Sequence, residues 1–358
     1  MKKYLLKVLL LSVFIVPFVS CSDDDDEPET GFTLPSTGIY VLNTGVMNAN
    51  NAKLAFYDTE KGEVISDVFG KANDGLPLGD IAQDIAVYGS KVYTTVTNSN
   101  KLFVTDRGSK LQKTFSPLNE SSQPLKPRSI ATHKGKVYVS TEAGYVMRID
   151  TTNMNMDMVK VGAFSEEMTI VNEKLYVTNS RSNSKIVSVV DLNNFTGQAT
   201  EITVADNPSI INSDKYGNIY VIAWGIWGST PSTFCKINST TNAVTEIGTD
   251  VASMMAVLDD KVLLMKLDYS TTPASSTFLY YNIKTETLVN EPFITDGTTI
   301  SAGYSLTVDQ NTKNIYIGTG DSNNLGKMYL FSSDGKLKEQ FSTEGYYPIK
   351  GTYITPSK

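Results

Sequence analysis

Among the side chains that commonly do covalent chemistry, the 358-residue chain is poor: it has one histidine and two cysteines. His133 stands in "THKGK", a short polar turn where a histidine is ordinarily solvated. With it set aside, no Ser-His-Asp triad, Cys-His pair or multi-histidine metal site can be assembled. No GxxxxGK[ST] loop and no strand–GxGxxG–helix unit occurs. "DQNTKN" (309–314) and "DSNN" (321–324) offer oxygen ligands but lack the glutamate that ends a calcium loop. No catalytic residue, metal site or cofactor is therefore assigned, and the chain is read as a non-enzyme.

What remains is binding chemistry. Both tryptophans, Trp224 and Trp227, fall in "AWGIWGSTPS" (223–232), whose glycines, proline and small hydroxyl residues mark a loop. One loop has little core of its own in which to bury two indoles. Either it folds onto the body of the protein or it waits for a ligand. Tyr145, Tyr269, Tyr304, Tyr346 and Tyr347 lie in or beside comparable loops. Arg128 and Arg181 add charge, while Asn43, Asn98, Asn179, Gln83 and Asp80 add hydrogen bonds. Aromatic planes with amides and guanidinium groups suit a large, ring-rich polar ligand such as a glycan or a corrin. For each of these residues ordinary packing at a strand end is the competing role.

The elements that must position these residues repeat. The stretches 84–115, 129–161 and 168–202 each give an apolar strand, a tight turn, a "KVY" or "KLY" strand, then a strand ending in Asp, and a closing strand. Alternation rich in Val, Ile, Tyr and Thr, broken by Gly, Asn and Asp, is the β pattern. Tyr40, Tyr93, Tyr138, Tyr176, Tyr220 and Tyr316 mark the units, with Leu263 in the sixth place. A period of about 46 residues with four strands per unit is that of a propeller blade. The expected fold is all-β, a seven-bladed β-propeller. Its first blade lacks an inner strand, and the terminal "GYYPIKGTYIT" is the natural segment to supply it, which removes an open edge. The turns inside this ring sort into a plain face of short turns and a rich face. The rich face collects 43–52, 71–83, 116–128, 223–232, 268–276, 295–304 and 342–348. Long, chemically varied loops on one face suggest a binding face.

The ends of the chain carry addresses. A basic start, an apolar run and Ser20 before Cys21 describe an export signal over 1–20. Small-residue-then-Cys is similar to the bacterial lipobox, with Phe18 where leucine is usual, so Cys21 is the expected lipidation site. "SDDDDEPET" then reads as part of a solvated acidic tether over 21–37, ahead of the propeller at 38–358. Without Lys2, Lys3 and Lys7 of the leader the net charge falls from −7 to −10. That balance makes nucleic acid a poor partner. Cys235, the one cysteine left, has no disulfide partner in the chain and reads as a small buried residue.

The blade unit resembles the YncE-like seven-bladed propellers. The segment 43–85, with its asparagine-rich opening and "LGDIAQD", is similar to Bacteroidetes surface propeller lipoproteins that include the cobalamin-binding BtuG group. An acidic run after a lipidated cysteine resembles the surface-export signal of the same lipoproteins. The resemblance implies a lipid-anchored protein on the outer face of the outer membrane. It would capture cobalamin (vitamin B12) or a related corrinoid and hand it to a TonB-dependent transporter of the BtuB type. It supplies no contact motif residue by residue, so the candidate site rests on the loops, with Asp80 and Gln83 inside the family-like segment. A glycan-binding lipoprotein of a polysaccharide uptake system and a protein–protein interaction propeller are the alternatives.

Overall fold

In the computed structural model, residues 32–354 are described except 36, 182, 269 and 273. The leader, Cys21, the tether up to residue 31 and Tyr269 lie outside the described residues. The chain divides into two units, Met1–Phe32 and Thr33–Lys358, and the second carries the fold. It is built from seven four-stranded antiparallel sheets, each contributed by consecutive strands apart from the first. In that sheet the last strand, Pro348–Ile354, pairs with the first, Gly38–Asn43, in a register running from Gly38 opposite Ile354 to Asn43 opposite Pro348. The seven sheets are the blades of a β-propeller closed by its C-terminal strand. The sequence-predicted fold is the observed one.

The six blade-marking tyrosines sit on the second strand of their blades and are buried, as is Leu263. The apolar core is distributed over the seams between blades. Tyr176 of blade 4, for example, packs with Ile211, Ile219, Val221 and Cys235 of blade 5. Tyr220 of blade 5 packs in turn with Val257, Val262 and Leu264 of blade 6. The period-2 pattern lets each blade bury both faces against its neighbours, which explains the near-continuous Val/Ile/Tyr runs.

The inner strands form the wall of an axial channel. They are Pro348–Ile354, Ala82–Tyr88, Pro127–His133, Ser165–Val171, Pro208–Ser213, Met254–Leu258 and Gly303–Val308, for blades 1 to 7. Six of them shift register near their first residues, and blade 6 alone is regular there. Such bulges bend a strand and re-aim its side chains.

Three consecutive blades hold their bulge with the same device. The buried hydroxyl two residues after the marker tyrosine bridges to the next blade. Thr95 accepts the Asp84 N–H at 3.0 Å and donates to the Arg128 carbonyl. Ser140 accepts from Ser129 N at 3.0 Å and donates to Glu166 O at 2.5 Å. Thr178 accepts from Glu167 N at 3.1 Å and donates to Ser209 O at 3.0 Å. Blade 7 moves the hydroxyl to the inner strand. Ser305 accepts the Gly318 N–H at 3.2 Å and donates to Pro348 O at 2.7 Å. The matching second-strand position there is glycine because a Cβ on Gly318 would lie 2.2 Å from that carbonyl.

Candidate functional site

The bulges place chemistry in the channel. The residues they leave out of the strand register are Gln83, Arg128 with Ser129, Glu166 with Glu167, Ser209, Tyr304 and Ile349. All of them line an axial cavity of about 490 Å³, together with Trp224 at its rich-face mouth. That volume is within the range of small-molecule sites. A smaller cavity of about 260 Å³ on the plain-face side shares Asn212, Val257 and Gln310 with it, so the two are successive parts of one channel.

The channel wall is divided. In the larger cavity blades 1 to 4 supply every charged lining residue, Lys350, Asp84, Arg128, Glu166 and Glu167, and the smaller cavity has Lys215, Asp259 and Lys313 of blades 5 to 7. Blades 5 to 7 face them with Ile210, Met254, Met255, Val257, Leu306 and Val308. The charges are ordered by one another. Arg128 bridges Glu142, at 3.2 Å, and Glu166, and its buried Nε has no partner. Lys350 donates to Asp84 at 2.7 Å, whose other oxygen accepts the Ile130 N–H at 2.7 Å. Among the described residues Glu167 makes no ion pair, and its carboxylate accepts a hydrogen bond from Ile211 N at 3.2 Å. Its side chain is half-buried in the channel wall, which strips part of its water shell. That desolvation, reinforced by the charges of Asp84 and Glu166, pushes its carboxyl up to about 8 against the opposing pull of the Ile211 amide and Lys350.

A family model described as "Domain of unknown function (DUF5074)" matches residues 37–350. The chain belongs to the DUF5074 family. No curated protein matches it. Among solved structures, this DUF5074 propeller is similar to the Kuenenia stuttgartiensis hydrazine synthase, with a TM-score of 0.56 at 14% identity over 68% of this chain and 74% of that one. Staphylococcus aureus virginiamycin B lyase gives 0.55 at 14%, over 80% and 94%. A Bacteroides caccae protein of unknown function gives 0.52 at 11%, over 89% and 99%. At such identities the likeness concerns the fold alone.

The DUF5074 propeller brings only some of the sequence-predicted residues together. Gln83, Arg128, Trp224 and Tyr304 line the channel. Trp224 is half-exposed and donates its indole N–H to Ser253 O at 3.3 Å, while Trp227 is 98% exposed. Tyr304 packs against Tyr347 with the rings tilted by 47° and their centroids 4.9 Å apart, and half-buried Tyr346 holds Gly45 N through its carbonyl at 3.1 Å. The others serve the frame. Asn43 and Asn179 are fully buried at strand ends, because each satisfies its amide internally. Asn43 accepts from the Thr343 hydroxyl at 2.6 Å, and Asn179 donates to Gly162 O at 2.9 Å and accepts from Ser188 at 2.7 Å. Asp80 ties three loops, accepting from Asn48 N at 3.0 Å and from Asn98 at 3.0 Å. Arg181 lies over the Phe164 ring at 3.4 Å, and Tyr145 packs in the seam between blades 2 and 3. His133 Nε2 lies 2.9 Å from a carboxylate oxygen of Glu173, a more specific contact than plain solvation of a turn.

The sequence reading missed Asp84, Glu166, Glu167 and Lys350. The signal was available: "KPRSI", "FSEEM" and "IAQDI" occupy equivalent places in the repeat, so recognising Arg128 as an inner-strand residue points also to the two glutamates of the next blade.

Proposed function

We propose that this propeller is a non-enzymatic capture protein, lipid-anchored at Cys21 on the outer surface, of the kind its YncE-like and BtuG-like sequence features suggest. It holds a corrinoid, cobalamin as first choice, and passes it to a TonB-dependent outer-membrane transporter of the BtuB type. The observation that carries the reading is the mouth of the channel. There Trp224 and the Tyr304–Tyr347 pair border an opening, and Trp227 stands free in solvent beside it. A corrinoid is larger than a cavity of about 490 Å³, so it lies across this mouth, aromatic planes against its ring, with peripheral amides reaching the polar wall. A preformed ring orders little on binding, which favours affinity. The anchor and the location rest on the leader sequence. The one histidine sits at the end of the blade 3 inner strand, on the opposite face, where it would take no part.

A second reading has its own observation. Met47, Leu76, Leu118, Trp224, Trp227 and Leu325 are exposed in loops of the rich face, against Tyr216 and Val244 elsewhere. Scattered exposed apolar residues are ordinary, but their concentration on one face suits a protein contact. That contact is the transporter in the first reading and the whole function in an interaction propeller.

The test is a calorimetric titration of the purified protein with cyanocobalamin, beside a Trp224→Ala/Trp227→Ala double variant. One-to-one binding weakened at least tenfold in the variant supports corrinoid capture at the mouth. Absence of heat and of a complex at high micromolar concentration overturns it, and an oligosaccharide panel then tests the glycan alternative.

A further inference from the structure

The channel below the mouth has a chemistry of its own. Three carboxylates line its larger cavity, Asp84, Glu166 and Glu167, against two cations, Arg128 and Lys350, while Lys215, Lys313 and Asp259 line only the smaller cavity beyond it. Arg128 is shared with Glu142, which lies outside the lining, so the cavity is short of positive charge. The shortage falls on Glu167, the one lining carboxylate without an ion pair in the structure. The charged groups that share its cavity belong to blades 1 to 4, whereas those of blades 5 to 7, Lys215, Asp259 and Lys313, line the smaller plain-face cavity, where Lys215 pairs with Asp260 and Lys313 with Asp259. Opposite stand the thioether and aliphatic side chains of Met254, Met255, Val257 and Leu306, and the indole of Trp224 closes the rich-face end. A molecule filling this space meets a carboxylate on one side and an apolar wall on the other.

We infer that the channel is a binding site for a small amphipathic organic cation, with Glu167 as the residue that selects the positive charge. A guanidinium or amidinium group sits against the Glu167 carboxylate in the geometry such groups favour, and the attached hydrocarbon lies on the methionine wall. The aromatic face of Trp224 adds cation–π attraction for a charge entering from the mouth. The inference goes beyond corrinoid capture and does not depend on it, because the cavity is smaller than a corrinoid and lies beneath the proposed corrinoid position.

Proton linkage gives the site a signature. Free Glu167 holds a proton at pH 7, its carboxyl being raised to about 8. A bound cation favours the ionised form, so cation binding expels that proton, and affinity rises with pH up to about 8. The probe is n-butylguanidinium, charged throughout this range, titrated by calorimetry into the full-length protein at pH 6, 7 and 8. Phosphate and MOPS buffers are used in parallel at pH 7, since their different ionisation heats count the protons released and neither is a net cation. Butyramide and butyrate are the neutral and anionic controls.

The expected result is affinity improving about tenfold per pH unit between 6 and 7.5, as one-proton linkage requires. Close to one proton is released per cation at pH 7, and both controls bind at least tenfold more weakly. Glu167→Gln abolishes the slope and the proton release. The wild-type proton count carries the test even where that variant folds poorly. Binding independent of pH, binding of butyramide as tight as that of the cation, or no binding of the cation at all overturns the inference. Each of these leaves the cyanocobalamin titration untouched.

Discussion

The hydroxyl of Thr178 gives the sharpest test of how the channel is built. It is fully buried, accepts the Glu167 N–H at 3.1 Å and donates to the Ser209 carbonyl of the next blade at 3.0 Å. Replacing Thr178 by valine keeps the shape and the β-branching and removes both bonds. The Glu167 amide belongs to a bulge and has no strand partner opposite it, and Ser209 is likewise out of register. Two buried backbone groups are then left unsatisfied, at about 1–3 kcal/mol each. Allowing for partial relaxation, Thr178→Val should cost about 2–4 kcal/mol. Thr178→Ser, which keeps the hydroxyl and loses one methyl, should cost about 1 kcal/mol. Equilibrium urea unfolding followed by tryptophan fluorescence and by circular dichroism measures both, and coincidence of the two signals checks that the transition is two-state. The valine variant should also lose the proton released on cation binding, because the bulge that aims Glu167 is no longer pinned. A cost below about 0.5 kcal/mol, or equal costs for valine and serine, would refute the bridge as a source of stability.

Further expectations concern other parts of the ring. Glu167 has a raised folded pKa, so between about 4.5 and about 8 the folded state binds more protons than the unfolded. Its contribution is therefore complete at low pH and declines as pH rises through that window. Urea midpoints of the wild type should fall relative to Glu167→Gln over that interval, and parallel pH profiles would contradict the shift. Gly318→Ala should destabilise by about 1–3 kcal/mol through overpacking against the Pro348 carbonyl, read as a lowered melting temperature. Trp227→Ala should change stability by less than about 0.5 kcal/mol, since the side chain is 98% exposed, so any loss of ligand affinity in that variant reports on contact. Cys235 is buried and its thiol is pushed up to about 12 by desolvation, so it should resist a thiol-specific reagent in the folded protein and react only on unfolding.

The fold was legible because it repeats. Tyr40 to Tyr316 mark the same buried place in six blades, and Leu263 fills it in the remaining one, so a single misread unit is corrected by its neighbours. The closing strand was legible for a similar reason: a first blade without an inner strand and a spare terminal strand require each other. Side-chain roles were harder. Asn43 and Asn179 look like loop amides in the sequence, yet their blades bury them, because strand ends in this ring need internal partners for their backbone groups. Arg181 and Tyr145 found aromatic or apolar company nearer than the mouth. Glu167 is invisible to loop reasoning because it lies in a strand, and only the extra residues of the bulge turn it toward the axis. Bulges leave no fixed residue signature here, since Gln, Arg-Ser, Glu-Glu and Tyr all occupy them.

The strand Pro348–Ile354 follows every other described strand in the chain, yet it lies at the hub rather than the periphery. Until it arrives, Gly38–Asn43 presents an unpaired inner edge, and the partners that will meet lie some three hundred residues apart, as Asn43 and Thr343 illustrate. Ring closure is thus a late, long-range event that earlier blades await, the kind of contact that slows folding. Loss of the strand Pro348–Ile354, by early termination or by a protease, would strip one of the seven walls of the channel rather than trim a tail. An open edge beside a detachable complementary strand is also the arrangement from which two copies exchange segments. Slow refolding at high protein concentration is where such an exchanged pair would form, each copy lending its terminal strand to the other's first blade.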